Sequence, residues 1–192
     1  MKGKDLITIG IFSAIYFVIN FMFMLLSGFS PYIWILMPGL IAIFTGIPYM
    51  IMISKVQKFG AIFIMGLITG LLYFITGQFT IVILITFIIS CGIAELIRYI
   101  SKYKNFKGNM FSFVFFSLGM TGSPLPIWLF KEDFLAQISS QGMPEEYVST
   151  LNSIASNGML AVLFIAPILG AFIGAWITKK LFNKHFKKAG IV

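Results

Sequence analysis

The sequence predicts an all-α integral membrane protein, a single domain over residues 1–192 built from six transmembrane helices. Three observations lead there: composition, six apolar stretches of spanning length, and one-sided placement of basic residues. Of 192 residues, 59% are apolar and 10% charged, against about 25% charged in a soluble domain. The mean hydropathy is +0.98. A short soluble chain cannot hide that much apolar side chain, because a small domain leaves much of its surface in water. A soluble enzyme and a nucleic-acid-binding domain are therefore excluded, and the net charge of +8 has to be read by position.

A helix crossing the ~30 Å hydrocarbon core needs about 20 mostly apolar residues. Six stretches fit: Leu6–Leu26, Ile33–Ile53, Phe59–Thr76, Phe79–Ile97, Met110–Phe130 and Met159–Thr178. Each must satisfy its own backbone in lipid, which favours helices; the alternating ten-residue pattern of a β-barrel is absent. The first stretch is too long for the apolar region of a signal peptide and no small-residue cleavage site follows it. Gly28 to Pro31, Lys55 to Gly60, Gly77-Gln78, Ser101 to Gly108 and Lys131 to Gly158 separate the stretches. In the last and longest connection, Pro144-Glu145-Glu146 reads as a helix start. Tyr147, Leu151 and Ile154 then share a face, and Asn157-Gly158 reads as a stop. The expectation is an amphipathic helix across the outer mouth, either a lid or a passive interfacial helix.

Basic residues stay on the cytoplasmic side. With the N-terminus inside, 13 of the 14 Lys and Arg fall on that side and Lys131 alone falls outside, beside Glu132, Asp133, Glu145 and Glu146. Both termini are thus expected in the cytoplasm and the chain in the cell membrane. The basic tail Lys179–Lys188 reads as an anchor on anionic lipid.

Few residues offer chemistry. One cysteine, Cys91, and one histidine, His185, exclude a Cys/His metal cluster, and no cofactor is expected. The GxSxG and HExxH patterns are missing, so the chain reads as no enzyme. Glu95 and Arg98, three apart near the end of the fourth stretch, share a face. They read as an interfacial ion pair or as a coupling site. Small-residue faces occur at Gly10/Ala14, Gly66/Gly70 and Ala166/Gly170/Gly174. Such faces let helices approach closely in lipid; Gly10 and Ala14 lie where a partner could dock. Trp34, Tyr73, Gln78, Trp128 and Asn157 gather at the outer ends of different stretches. They read as anchors of a small-molecule pocket or as an aromatic belt. Asn20, deep in the first stretch, needs a hydrogen-bond partner.

The opening Lys4-Asp5-Leu6-Ile7-Thr8-Ile9-Gly10-Ile11-Phe12-Ser13-Ala14-Ile15-Tyr16-Phe17-Val18 resembles the Trep_Strep (MptD-type) group of energy-coupling factor (ECF) transporter S components. So do Gly46-Ile47-Pro48-Tyr49, Lys55-Val56-Gln57-Lys58-Phe59-Gly60, Ile64-Met65-Gly66-Leu67, Ala94-Glu95-Leu96-Ile97-Arg98 and Lys102-Tyr103-Lys104. The resemblance covers roughly residues 1–135. It implies a subunit that captures a small-molecule micronutrient from outside. Such a subunit works with a membrane T protein and two cytoplasmic ATPases. It further implies that Gly10 and Ala14 match the family's partner-contacting motif, with Gly replacing the first Ala, and that the pocket lies under the outer loops. The GxxxxGK[ST] phosphate-binding loop is absent, so an ATPase would have to be another chain. The alternatives are a stand-alone carrier or facilitator and a non-transport assembly or regulatory protein.

The charge asymmetry makes a direct prediction. In intact cells an impermeant thiol reagent labels a Gln141→Cys variant and leaves Lys104→Cys unlabelled; the reverse pattern inverts the orientation.

Overall fold

The computed structural model describes residues 1–76 and 80–182. Within them the chain forms nine α-helices: α1 Gly3–Ser27, α2 Pro31–Lys55, α3 Ala61–Ile75, α4 Ile81–Ile100, α5 Phe106–Ser117, α6 Pro126–Leu129, α7 Lys131–Ser140, α8 Glu145–Ile154 and α9 Asn157–Leu181. A 3₁₀ turn over Leu118–Gly122 follows α5. Local chemistry sets several starts. The Asp5 carboxylate accepts from the Lys2 backbone N–H at 2.7 Å at the head of α1. Thr80 and Ser156 side chains accept from Ile83 and Met159 N–H groups at the heads of α4 and α9, satisfying donors that a helix leaves open.

The expected six-helix bundle does not form. Among the described residues four helices, α1, α2, α4 and α9, are long and apolar enough to cross a membrane. The stretch expected over Phe59–Thr76 yields only α3, 15 residues or about 22 Å of helix, short of the ~30 Å core. It starts late because Gly60 takes a left-handed conformation, φ +89°. The stretch expected over Met110–Phe130 breaks into α5, the 3₁₀ turn and α6. Proline at 124 and 126 removes donors and clashes with the preceding turn. Thr86 Oγ1 donates to Gly119 O at 2.8 Å, and a Cβ on Gly122 would lie 2.7 Å from Ile83 Cα. The turn therefore hugs α4, and only glycine fits there. The long connection also holds two helices, α7 and α8, where the sequence suggested one. Counting apolar residues measures solubility in lipid; it is blind to where the backbone must break.

The centre of the molecule is the contact of α2 with α9. A Cβ on Gly39 would lie 2.8 Å from Ala166 Cβ, and one on Gly46 would lie 2.6 Å from the Gly174 carbonyl carbon. Gly170 and Gly174 press on the backbone of α2 in return. Backbones this close gain dispersion contacts, which replace a hydrophobic driving force that lipid does not supply. A large apolar cluster, including Tyr16, Tyr49, Met65, Phe113 and Phe116, fills the space from α1 to α5. Asn20 finds its partner there: the Tyr73 hydroxyl donates to Asn20 Oδ1 at 2.9 Å.

Gly46→Ala forces α2 and α9 apart and is expected to cost about 1–3 kcal/mol. A Cβ on Gly70 meets nothing within 4 Å, so Gly70→Ala leaves stability unchanged or raises it by up to about 1 kcal/mol. Thermal unfolding of the two variants in detergent compares them directly.

Candidate functional site

The starts of α1, α3 and α5 and the ends of α2, α4 and α9 meet at one end of the bundle, where basic residues collect. Charged groups there are matched to helix termini. Glu95 Oε2 accepts from Ile62 N–H at 2.9 Å, at the positive start of α3. Arg98 Nη2 donates to Ile53 O at 3.1 Å and Val56 O at 2.9 Å, at the negative end of α2. Its guanidinium carbon lies 5.0 Å from the centre of the Tyr103 ring. Lys58 and Asp5 form an ion pair at 2.5 Å, tying the loop after α2 to the start of α1. The interfacial Glu95–Arg98 pair expected from spacing is thus replaced by separate bonds to backbone, and both side chains are fully buried. The two helix ends satisfy Glu95 Oε2 and Arg98 Nη2, while Glu95 Oε1 and Arg98 Nε and Nη1 are buried with no hydrogen-bond partner among the described residues.

Gly10 and Ala14 lie near this end on the outward face of α1. A Cβ on Gly10 meets nothing within 4 Å, and Ala14 is exposed. Gly66, by contrast, packs on Cys91, and Gly170 and Gly174 on α2. Among the described residues, none fills the α1 notch.

The opposite end holds a cavity of about 250 Å³. Its floor comes from the end of α1 (Met24, Ser27), from Trp34 of α2 and from Thr80 and Ile83 at the head of α4. Ser123 enters from the broken segment. The roof is α7 and α8. Phe134, Gln137 and Ile138 on α7 and Gln141 just past its end follow the i, i+3, i+4, i+7 spacing of one helical face; Tyr147 and Leu151 are one turn apart on α8. Trp34 stacks on Phe134 with ring centroids 5.4 Å apart and planes 3° from parallel. A second apolar cluster of Ile35, Ile127, Ile138, Leu151 and Leu163 holds the roof down. The Tyr147 hydroxyl donates to Ser27 O at 3.0 Å. Burial pushes this phenol up to about 12, so it remains a donor through the physiological range. The bond is lost only as pH rises from the ordinary tyrosine range near 10 through about 12.

Of the pocket anchors expected from sequence, the structure brings Trp34 to this cavity. Tyr73 lies deeper, fully buried and bonded to Asn20. Trp128 donates its indole N–H to Ser156 O at 3.1 Å, fastening α6 to the head of α9. Asn157 is exposed as the first residue of α9. Gln78 lies outside the described residues. Sequence reasoning passed over Phe134, Gln137 and Gln141, although their helical spacing was present in a segment read as loop. A second hollow, about 470 Å³ between α3 and α4, has apolar side chains such as Phe63, Leu67 and Leu71 along it. It lacks the polar anchors that orient a ligand. Among the described residues no three His, Cys, Asp or Glu side chains come together as a metal site.

These features define a multi-pass all-α integral membrane protein with a roofed, neutral cavity at one end. The chain belongs to the Trep_Strep family, described as hypothetical bacterial integral membrane proteins, whose family model matches residues 3–188. No curated protein and no solved structure matches it.

Two roof variants check the geometry. Tyr147→Phe removes one hydrogen bond, worth about 0.5–1.5 kcal/mol, and should raise amide exchange across residues 145–154 by about 2- to 10-fold. Leu151→Ala empties a fully buried site at about 2–5 kcal/mol and should free the whole helix.

Proposed function

We propose that this protein is a substrate-capture subunit, an S component of an energy-coupling factor importer. It binds a small molecule in the cavity under α7 and α8 and passes it on with a membrane T protein and two ATPases. It performs no chemistry on the molecule. The basic end faces the cytoplasm of the cell, because lysine and arginine are retained there, and the roofed cavity faces outward.

The observation that carries this reading is the pairing of a roofed cavity at one end with an unfilled small-residue notch at the other. A cavity with a few neutral polar groups and aromatic walls is the usual form of a small-molecule site. The Gly10–Ala14 notch, which no described residue fills, suits a partner helix approaching within backbone contact. Family membership supports the same reading through the group's resemblance to S components.

The test is a tagged full-length chain purified from its own membranes. A T protein and two ATPases copurify with it. In Gly10→Leu/Ala14→Leu they are lost and uptake stops, while the fold and the cavity persist. Copurification unchanged by the double variant removes the notch from the mechanism. Uptake by the solitary protein in liposomes replaces this reading with a stand-alone facilitator.

A further inference from the structure

The lining of the outer cavity contains no Asp, Glu, Lys, Arg or His. That is notable because its two roof helices carry five charged residues: Lys131, Glu132, Asp133, Glu145 and Glu146. Each is placed elsewhere. Glu132 and Asp133 lie in the first turn of α7 and Glu145 and Glu146 in the first turn of α8, where acids meet the positive helix end. Lys131 donates to Asn152 O at 3.3 Å, binding α7 to α8. The faces turned inward keep only neutral polar groups. Gln137 and Gln141, one turn apart, offer two side-chain amides that no other described residue engages. The hydroxyls of Thr80 and Ser123 add donors at the floor.

A charged ligand entering this space would lose part of its water and meet no opposite charge among the described lining residues, an unfavourable transfer. A neutral ligand meets amides that each present donors and an acceptor in one plane. The parallel Trp34 and Phe134 rings form a flat wall beside them. At about 250 Å³ the space falls just below the usual range of ligand sites, about 300–1,000 Å³, so it suits only a small compound.

Resting on the capture reading above, we propose that the cavity selects a small uncharged planar compound with an amide-like edge. Nucleobases and carboxamide-bearing heterocycles are of this class. Gln137 and Gln141 pair with the donor–acceptor edge, and the ring lies against the wall made by the Trp34–Phe134 stack.

The experiment uses the purified full-length protein in nanodiscs at pH 7 and matched probes: nicotinamide against nicotinate, uracil against orotate, and benzamide against benzoate and benzamidine. Binding is read by calorimetry and by thermal stabilisation. Small molecules carried through purification are extracted and identified by mass spectrometry. The expected result is that at least one neutral probe binds at least about 10-fold tighter than its charged counterpart, and that extracted molecules are uncharged at pH 7. Gln141→Ala and Gln137→Ala should each weaken the neutral probe about 5- to 150-fold, the range for an amide left unpaired. Both side chains are exposed in the structure, so these variants keep the fold.

A charged probe that binds as tightly as its neutral partner, and loses binding in Trp34→Ala, overturns the neutral class while leaving capture in this cavity intact. A charged extracted molecule has the same meaning. Failure of every probe, with no extracted molecule, overturns the capture reading itself. Binding that survives Gln137→Ala/Gln141→Ala and Trp34→Ala together places the site elsewhere and overturns the proposal.

Discussion

Where α2 and α9 meet, backbone touches backbone, and that approach organises the rest of the structure. Gly39 and Gly46 on one helix face Ala166, Gly170 and Gly174 on the other, with space for no additional side-chain atom at the tightest points. In lipid, apolar side chains gain little by leaving one apolar neighbour for another, so close packing and polar bonds have to hold helices together. This contact makes α2 the axis of the bundle: 72% of its most apolar stretch is buried, against 22% for α1 and 33% for α9. The outer surfaces of α1 and α9 are correspondingly free to face lipid or partners.

A second constraint follows from the broken segment after α5. A continuous helix there would carry the chain straight out of the bundle. Instead, Pro124 and Pro126 interrupt the hydrogen-bond ladder, and Gly119 and Gly122 allow the turn to rest on α4. The chain is thereby redirected through α6 into α7 and α8. Trp128 then ties that excursion to the head of α9. The roof over the cavity exists because the fifth apolar stretch does not finish as a helix. The same proline-rich interruption that shortens a span builds the site.

Several charged groups at both ends of the molecule are placed against helix termini. Glu95 at the start of α3 and Arg98 at the end of α2 answer exposed backbone groups. The acids of α7 and α8 occupy first turns in the same sense. Helix termini carry partial charge and unsatisfied donors or acceptors, and these six side chains answer them. At the cavity end the acids leave a neutral lining; at the basic end the bonds join the loops, to which Asp5 and Lys58 add the start of α1.

Composition alone determined the membrane class, because apolar side chains in such excess have no aqueous solution. Three expected stretches, Leu6–Leu26, Ile33–Ile53 and Met159–Thr178, lie inside α1, α2 and α9, since long uninterrupted apolar runs leave the backbone one arrangement in lipid. The need of Asn20 for a partner was legible too, but not that Tyr73 would meet it across 53 residues of chain. The remaining features depended on tertiary structure. Glycine in Gly60, Gly119 and Gly122 reads the same in a list as glycine in Gly70, yet only close neighbours or a left-handed φ make the first three decisive. Trp34 and Trp128 look equivalent as aromatic residues near helix ends. One lines the cavity while the other fastens a helix, because pockets are made by side chains brought together from distant segments. Local sequence periodicity specifies which face of α7 is which; only its packing on α6, α8 and the Trp34 and Ile35 side chains of α2 decides that this face looks inward.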